Sequence, residues 1–213
     1  LRNQEFSWEV IVVDDGSSDR TFRVIGEVFD ELEPVKVLKN PENRGKGYSV
    51  KQGVLAAHGE LILVTDADFS TPIGEFKKLH AYLNQGCDIA IGSRSLANSN
   101  VEISQPWYRE GMGRVFNVFV QMMVVRGYGD TQCGFKCFNR SKVVPIFSQM
   151  LVDGFCFDVE FLFIAKKRGL KIKEVPVQWS DVLQSRVSVI SEPIRMFLDL
   201  LRIRRNDRNG FYH

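Results

Sequence analysis

Asp66 and Asp68 are two carboxylates separated by one residue, and they follow the apolar run 61–64 after Thr65. In a turn that follows a buried strand, this spacing lets both carboxylates contact one divalent cation, directly or through water. Mg²⁺ is commonly bound by a few carboxylates, and substrate phosphates supply further ligands. A diphosphate leaving group needs such a cation because negative charge accumulates on its departing oxygens. The same pair is also typical of a solvated acidic turn, and the local pattern leaves both interpretations open.

Asp14 and Asp15 form a second acidic pair, in the segment Asp-Asp-Gly-Ser after the apolar run 10–13. A carboxylate at the end of a strand accepts hydrogen bonds from the N–H and O–H groups of a nucleotide base or ribose. The pair also fits half of a phospho-acceptor pocket. A plain helix N-cap is the structural alternative, since Asp and Ser favour that position.

The segment 43–47, Asn-Arg-Gly-Lys-Gly, combines backbone freedom with positive charge. It matches neither the dinucleotide-binding glycine pattern nor the Walker P-loop. Lys46 can neutralise a phosphate while Gly45 lets the backbone approach a base closely. An ordinary turn from a loop into a helix explains the segment equally well.

Three further charged residues lie where a ligand could reach them. Arg94 and Arg109 flank a polar stretch, and arginine binds phosphate through its planar fork. Asp130 lies among glycines, where it is either an acid beside an active site or a turn residue that satisfies its own backbone. Surface arginines are common, so neither arginine alone is evidence of a ligand-binding site.

The first half of the chain alternates strand and helix patterns, which must position these residues. Short Val- and Ile-rich runs predict strands at 10–13, 35–38, 61–64 and 89–91. Amphipathic spacing predicts helices between them. This alternation indicates a parallel, doubly wound α/β sheet, in which ligands collect at the carboxyl ends of the strands. Both acidic pairs fall at such ends, so we expect one crevice with two acidic corners.

The second half is less regular. We predict a polar loop at 95–106, helices at 107–125 and 158–168, a glycine-punctuated segment at 127–138 and a strand at 171–177. A terminal helix at 190–205 is amphipathic, with arginines around its apolar face. Such a helix either lies on an anionic membrane or packs against its own domain. We therefore divide the chain into an α/β domain, 1–189, and a basic amphipathic tail, 190–213.

Composition excludes several classes of protein. The 213 residues are 44% hydrophobic and 25% charged, which excludes disorder, collagen and coiled coil. A net charge of +2 argues against binding nucleic acid through bulk charge. The four cysteines are too scattered for a disulfide scaffold or a zinc site, which predicts a reduced, intracellular chain. The longest nearly apolar run, 115–125, is too short to span a bilayer.

These features occur together and in order, and they resemble the family 2 glycosyltransferases of GT-A fold. More closely, they look like the dolichyl-phosphate or polyprenyl-phosphate glycosyltransferases, on the β-glucosyltransferase branch rather than the mannose synthase branch. The matching segments cover most of the chain. They are VIVVDDGSSDRT, NRGKGYSVKQG, LILVTDAD, IGSR, YREGMGRVFN, DTQCGFK, GFCFDVEFLFIAKKRG and VPVQWSDVLQSRV.

The resemblance implies an inverting enzyme that uses UDP-glucose, Mg²⁺ or Mn²⁺ and a lipid phosphate at a membrane surface, with its active site on the cytoplasmic side. It implies roles for eleven residues. Those that would bind the nucleotide or its diphosphate are Asp14, Asp15, Gly45, Lys46, Ser185 and Arg186. Those that would hold the metal are Asp66 and Asp68. Those that would act on the sugar and the acceptor phosphate are Asp130, Arg94 and Arg109.

One departure from the family pattern is large. The family opens with a strand that ends in a Pro-x-Tyr-Asn-Glu-like motif, and nothing before Trp8 matches it. The chain also begins without Met. We therefore expect a GT-A sheet that lacks its first strand, and an activity that depends on the missing part.

Three other functions remain open from the sequence. The first is a glycosyltransferase of the same fold that uses GDP-mannose. The second is a sugar-nucleotide-binding protein without catalysis. The third is a phospho-accepting receiver domain, in which Asp14 and Asp15 hold Mg²⁺ and Asp66 is phosphorylated. A receiver lacks support downstream, because no Lys-Pro-like pair follows the next strand and the second half goes unexplained.

Overall fold

The computed structural model describes residues 6–29, 34–103, 107–181 and 191–213. In these ranges, strands and helices alternate through the first half, as the sequence predicts. The strands are β1 Val10–Asp14, β2 Val35–Lys39, β3 Leu61–Val64, β4 Ile89–Ser93, β5 Asn100–Ile103, β6 Lys136–Asn139, β7 Ile172–Pro176 and β8 Gln178–Ser180. The helices are α1 Thr21–Phe29, α2 Lys46–Ala56, α3 Phe76–Asn84, α4 Trp107–Met123, α5 Arg140–Gln149, α6 Phe157–Lys167 and α7 Ser191–Arg208.

The described strands form three sheets. Four strands make the largest, in the order β3-β6-β4-β7, and β1-β2 and β5-β8 are two-stranded. The pairs β1/β2, β4/β7 and β5/β8 are parallel, whereas β6 runs antiparallel to both of its neighbours. The expected parallel sheet is therefore interrupted by one reversed strand, which carries the segment after Asp130 back into the centre.

The largest sheet is buried on both faces because its side chains alternate. Ile89 and Ile91 of β4 pack with Phe138 of β6 on the face covered by α5 and α6. Ala90 and Cys137, one residue away in each strand, lie on the opposite face with Leu79 and Leu83 of α3. This two-sided burial fixes the register of the strands, and so fixes which residues stand at their ends.

α6 is buried all round, which explains its sequence. Nine of its eleven residues are buried, including the acids Asp158 and Glu160. Charged residues are almost never buried without partners. Both acids have one, Lys136 for Asp158 and Tyr212 for Glu160. α6 is therefore a core helix of the domain rather than a surface helix.

Some elements were not predicted. β5 lies in the stretch 95–106 that we expected to be a polar loop, and it pairs with β8 in an outlying two-stranded sheet. The described side chains of β5 are exposed. α5 contains Pro145, which normally argues against a helix interior. It persists because Val143, Ile146 and Phe147 are buried in the core, and this burial offsets the backbone hydrogen bond that Pro145 cannot make.

α4 and α7 pack together and leave apolar side chains exposed. Phe119 and Phe197 meet edge to face, with ring centroids 5.4 Å apart. α7 turns Leu200 and Ile203 into the core. Its other apolar face, together with that of α4, stays exposed. We call this the α4/α7 outer surface and define it as Val118, Met122, Leu198 and Leu201. Among the helices the structure describes, none has the length and apolar character needed to cross a membrane.

Candidate functional site

The two acidic corners meet at one end of the strands, as the sequence predicts. β1 ends at Asp14 and β3 ends two residues before Asp66. The turn 43–46 lies between the corners and contacts both. Its backbone bonds to Asp15, and its Lys46 side chain pairs with Asp66. The glycine-rich turn thus joins the corners into one crevice.

Asp15 organises this turn. Its Oδ1 accepts from Asn40 Nδ2 at 2.8 Å and from the Arg44 amide at 3.0 Å, and its Oδ2 accepts from the Gly45 amide at 2.8 Å. Burial alone raises the pKa of Asp15, but these hydrogen bonds outweigh it and leave that pKa below its usual value. The carboxylate is therefore charged at neutral pH and fixes the turn against the end of β1.

Asp14 faces the other way, into its own turn. It is buried, and its Oδ2 accepts from the Ser17 amide at 3.1 Å while its Oδ1 accepts from the Ser17 hydroxyl. These contacts close a turn ahead of α1, and Asp14 is not the N-cap of that helix, because α1 begins at Thr21, whose amide donates to Asp19 Oδ1 at 2.9 Å. The predicted contact of Asp14 and Asp15 with uridine stays a prediction.

Gly45 is required by space as well as by backbone angle. Its φ of 107° lies in the left-handed region, and a Cβ there would be 2.6 Å from the Asp153 carbonyl oxygen. The Asp153 side chain also binds Arg44, with 2.9 Å between Oδ2 and Nη2. The loop before α6 therefore forms the outer wall of the glycine-rich turn.

Lys46 places a cation between the acids. Its Nζ is 2.6 Å from Asp66 Oδ1. Burial lowers the pKa of Lys46, but attraction to Asp66, Asp158 and Asp68 is stronger and raises it above the usual value. Lys46 is therefore charged, and it lies beside Asp66, one of the two residues proposed to hold a metal ion.

The Asp66/Asp68 pair fits a divalent cation that is shared with a ligand. Asp68 Oδ1 accepts from the Ser70 amide at 3.0 Å, and the side chain is exposed. Asp66 rests on Gly134, where an added methyl group would overlap its carboxylate. Within the described ranges, no cluster of three or more His, Cys, Asp or Glu residues could hold a metal alone. The donor set therefore suits an ion completed by substrate phosphates.

Asp130 and Arg94 form a forked ion pair in the same crevice. Asp130 is 8% exposed, and its Oδ2 and Oδ1 accept from Arg94 Nε at 2.7 Å and Nη2 at 2.9 Å. Burial raises the pKa of Asp130, but the Arg94 charge outweighs it and holds that pKa below its usual value. Glu174 Oε1 accepts a hydrogen bond from the Asp130 amide at 2.8 Å and so helps to hold this segment in place. Two donors of Arg94 are thus engaged by Asp130, and its predicted role at an acceptor phosphate stays a prediction.

A second buried ion pair, Lys136 with Asp158, escaped the sequence analysis. The atoms Nζ and Oδ1 are 2.7 Å apart, and both side chains are almost fully buried. Burial raises the pKa of Asp158, although Lys136 and Lys46 oppose this. The pair lies behind the crevice and links β6 to α6. Both residues lie in segments that resemble the family, and this resemblance was the only sequence feature that could have indicated them. Lys136 was missed because a lysine in a strand is normally expected to face solvent.

Three predicted site residues remain, and no side-chain contact of theirs lies within the described part of the structure. Arg109 lies in the first turn of α4. Ser185 and Arg186 lie outside the described residues. The cysteine prediction is confirmed for the thiols themselves. All four are free, and Cys133, Cys137 and Cys156 are buried.

Comparison with known sequences assigns the family. The family model described as Glycosyl transferase family 2 matches residues 1–144, so the chain belongs to glycosyl transferase family 2. A dolichyl-phosphate beta-glucosyltransferase of Trichomonas vaginalis is 36% identical over 207 residues, which are 95% of this chain and 63% of that protein. The protein of that name from Dictyostelium discoideum is 36% identical over 211 residues, 95% and 64% of the two chains. The chain thus spans less than two thirds of these relatives.

Solved structures agree on the fold. Mannosyl-3-phosphoglycerate synthase from Rubrobacter xylanophilus matches with a TM-score of 0.66 at 17% identity, over 98% of this chain and 66% of that one. Glucosyl-3-phosphoglycerate synthase from Mycobacterium tuberculosis, in complex with Mn²⁺ and UDP-glucose, matches with 0.59 at 17% identity, over 94% and 67%. The predicted GT-A-like α/β fold is confirmed, and the receiver-domain alternative is set aside by the family.

Proposed function

We propose that the protein is an inverting glycosyltransferase that moves glucose from UDP-glucose to dolichyl or polyprenyl phosphate. The observation that carries this proposal is the single crevice in which Lys46, the Asp66/Asp68 pair and the Arg94–Asp130 pair converge. Its charges suit a nucleotide diphosphate on a metal, with an acceptor opposite. The relatives' names supply glucose and dolichyl phosphate as substrates.

The reaction is a single displacement. An oxygen of the lipid phosphate forms a bond to the anomeric carbon of glucose, and the bond between that carbon and the β-phosphate oxygen of UDP breaks. The acceptor phosphate is already ionised near neutral pH, so no strong base has to remove a proton. Asp130, held charged by Arg94, then orients the sugar or the metal rather than accepting a proton.

A divalent cation fits the proposal. Asp66 and Asp68 would hold Mg²⁺ or Mn²⁺, with Asp68 the more exposed ligand, and the ion would neutralise charge on the departing diphosphate. Lys46 adds a fixed positive charge next to Asp66. A relative in fold binds Mn²⁺ together with UDP-glucose, which supports the chemistry without fixing which ion this protein uses.

We also propose that residues 190–213 form a tail that lies on a membrane surface and brings the catalytic domain, 1–189, to its lipid acceptor. α7 carries Arg195, Arg202, Arg204, Arg205 and Arg208, next to the exposed Leu198 and Leu201. Arginines beside an exposed apolar face suit the interface of an anionic membrane. We also propose that the active site faces the cytoplasmic side of that membrane.

A radiolabelled-donor panel tests the reaction. The full-length protein is incubated with polyprenyl phosphate, Mg²⁺ or Mn²⁺, and labelled UDP-glucose or GDP-mannose, and lipid-linked sugar is extracted and counted. We expect product from UDP-glucose, dependent on metal and abolished by chelation. Product from GDP-mannose alone would overturn the donor assignment, and donor binding without transfer or hydrolysis would favour a non-catalytic sugar-nucleotide-binding protein.

A further inference from the structure

Lys136 is a buried cation behind the crevice. Its side chain is 3% exposed in β6, and lysine is almost never buried to this extent without a partner. Its Nζ lies 2.7 Å from Asp158 Oδ1 of α6 and also donates to the Cys133 carbonyl. A buried ion pair is weak evidence for stability, because apolar residues of similar volume often serve as well or better. Stability alone therefore does not explain why this pair is in the core.

The first link from Lys136 to the crevice runs through the backbone. The Cys133 carbonyl that accepts from Lys136 belongs to the peptide group that joins Cys133 to Gly134. The Asp66 carboxylate rests on Gly134 so closely that a methyl group there would overlap it. The position of Asp66 therefore depends on where the Gly134 backbone is held, and Lys136 supplies a hydrogen bond that holds it.

The second link runs through Asp158 to Lys46. Lys46 begins α2 and Asp158 lies in the first turn of α6, and the two helices are in contact. Asp158 attracts Lys46, whose Nζ pairs with Asp66 Oδ1 at 2.6 Å. Burial raises the pKa of Asp158, and the charge of Lys136 opposes this rise and so favours the carboxylate that attracts Lys46. Asp66 is thus flanked by two groups, and both are connected to Lys136.

We infer that Lys136 is a positioning residue for the metal site, which acts through these two links to hold the Asp66 carboxylate where a divalent cation can bind it. This inference rests on the proposed function, because it assumes that Asp66 and Asp68 hold a metal ion. Groups behind the ligands of a metal ion fix the orientation of those ligands, and their loss typically weakens metal binding by roughly 10–100-fold. Lys136 acts at a distance from the ion, so the affinity for the ion is the quantity that reports its role.

Two ion pairs of α6 allow a matched test. Lys136→Met/Asp158→Asn removes both charges of the buried pair, so the net charge of the chain is unchanged and no unpaired charge is left in the core. Lys167→Met/Asp207→Asn makes the same two changes at the other end of α6, where Lys167 Nζ and Asp207 Oδ1 are 2.6 Å apart and join α6 to α7. Within the described residues, only the Lys136–Asp158 pair has such links to Asp66.

Binding of Mn²⁺ is measured by electron paramagnetic resonance at saturating UDP. Because UDP carries no sugar, the measurement does not depend on transfer, and circular dichroism verifies that each protein is folded. We expect the Kd of Mn²⁺ to rise at least ~tenfold in Lys136→Met/Asp158→Asn and to stay at the wild-type value in Lys167→Met/Asp207→Asn. A wild-type Kd in both double variants, or an equal rise in both, would overturn the inference.

A single variant covers the case in which Lys136→Met/Asp158→Asn does not fold. Lys136→Gln keeps a donor for the Cys133 carbonyl but removes a positive charge near the proposed cation site. Repulsion between like charges alone predicts that Mn²⁺ then binds more tightly. We expect the opposite, a Kd above the wild-type value, because Asp66 loses part of its support. Tighter or unchanged binding would overturn the inference.

The same titration separates this inference from the proposed function. If the wild type binds Mn²⁺ with UDP and the Lys136 variants bind it more weakly, the inference stands even when no lipid-linked glucose forms, and only the proposed function fails. If the wild type transfers glucose but the variants bind Mn²⁺ as tightly as it does, only the inference fails. A wild type that binds no Mn²⁺ in the presence of UDP would overturn the inference together with the proposed metal site.

Discussion

Gly134 determines where the Asp66 carboxylate can stand. It has no special backbone angle, but a Cβ at this position would overlap the Asp66 side chain. Asp66 also pairs with Lys46 on its other side. The first aspartate of the proposed metal pair is therefore held between a glycine and a lysine, which leaves it little room to move.

Gly134→Ala tests this arrangement. The added methyl group pushes Asp66 off its position, and we expect kcat/KM for transfer to fall ~100-fold, since small misplacements at a reacting centre cost about that much. Gly74→Ala is the control, because a Cβ there meets nothing within 4 Å. The measurement is metal-dependent transfer, with circular dichroism to verify folding. A Gly134→Ala protein with an unchanged metal titration would show that Asp66 tolerates displacement.

At the scale of elements, the sequence predicts the part of the site that follows simple periodicity. β1 and β3 are short apolar runs that end in acids, so their place at the edge of a sheet follows from composition alone. β6 and α5 were missed because Lys136 and Pro145 contradict the usual patterns. Their stability comes from partners distant in sequence, such as Asp158, which no local pattern contains.

The polar network below α6 depends in the same way on distant residues. Glu160 is fully buried and accepts from the amides of Leu151 and Val152 at 2.9–3.1 Å. The Tyr212 hydroxyl donates to it at 2.5 Å. Burial raises the pKa of Glu160 even though these donors oppose it. Through Glu160, the network connects Tyr212 to Leu151 and Val152. These two residues begin the loop that packs against the glycine-rich turn.

Tyr212→Phe removes the hydroxyl that donates to Glu160 and that accepts from Asn206 Nδ2 at 3.2 Å. Because a buried carboxylate loses a hydrogen bond, we expect the free energy of unfolding to fall by about 1–3 kcal/mol, measured by urea denaturation. The neighbouring Phe211 is 56% exposed, so Phe211→Tyr makes the reverse change in solvent and should stay within ~0.5 kcal/mol of the wild type. Equal stability of all three proteins would mean that water replaces the Tyr212 hydroxyl.

At the scale of the whole molecule, a net charge of +2 conceals an uneven layout. Acids line the crevice, while α7 carries five arginines against three acids. Balanced charge argues against nucleic acid but says nothing about local patches. The α4/α7 outer surface adds exposed apolar side chains to the basic helix, which is the combination that the proposed membrane contact requires.

Leu198→Glu tests the membrane side. The side chain is 57% exposed in solution, so the change should not unfold the domain, but it sets a charge where the bilayer is proposed to lie. We expect affinity for vesicles of anionic phospholipid to fall at least ~tenfold in co-sedimentation. Val28, 56% exposed on α1, provides the matched control Val28→Glu. Binding that is insensitive to salt and to Leu198→Glu would exclude this surface as the membrane contact.

The bonds that Asp15 makes have a thermodynamic consequence for the donor. Two hydrogen bonds, from the amides of Arg44 and Gly45 to Asp15, and the close contact of Gly45 with Asp153 order the glycine-rich turn within the fold. Ordering a loop upon association consumes free energy, and a turn ordered during folding has already met that cost. We therefore expect the proposed binding of UDP-glucose at this turn to show a small conformational-entropy penalty in calorimetry, because folding has already ordered the turn.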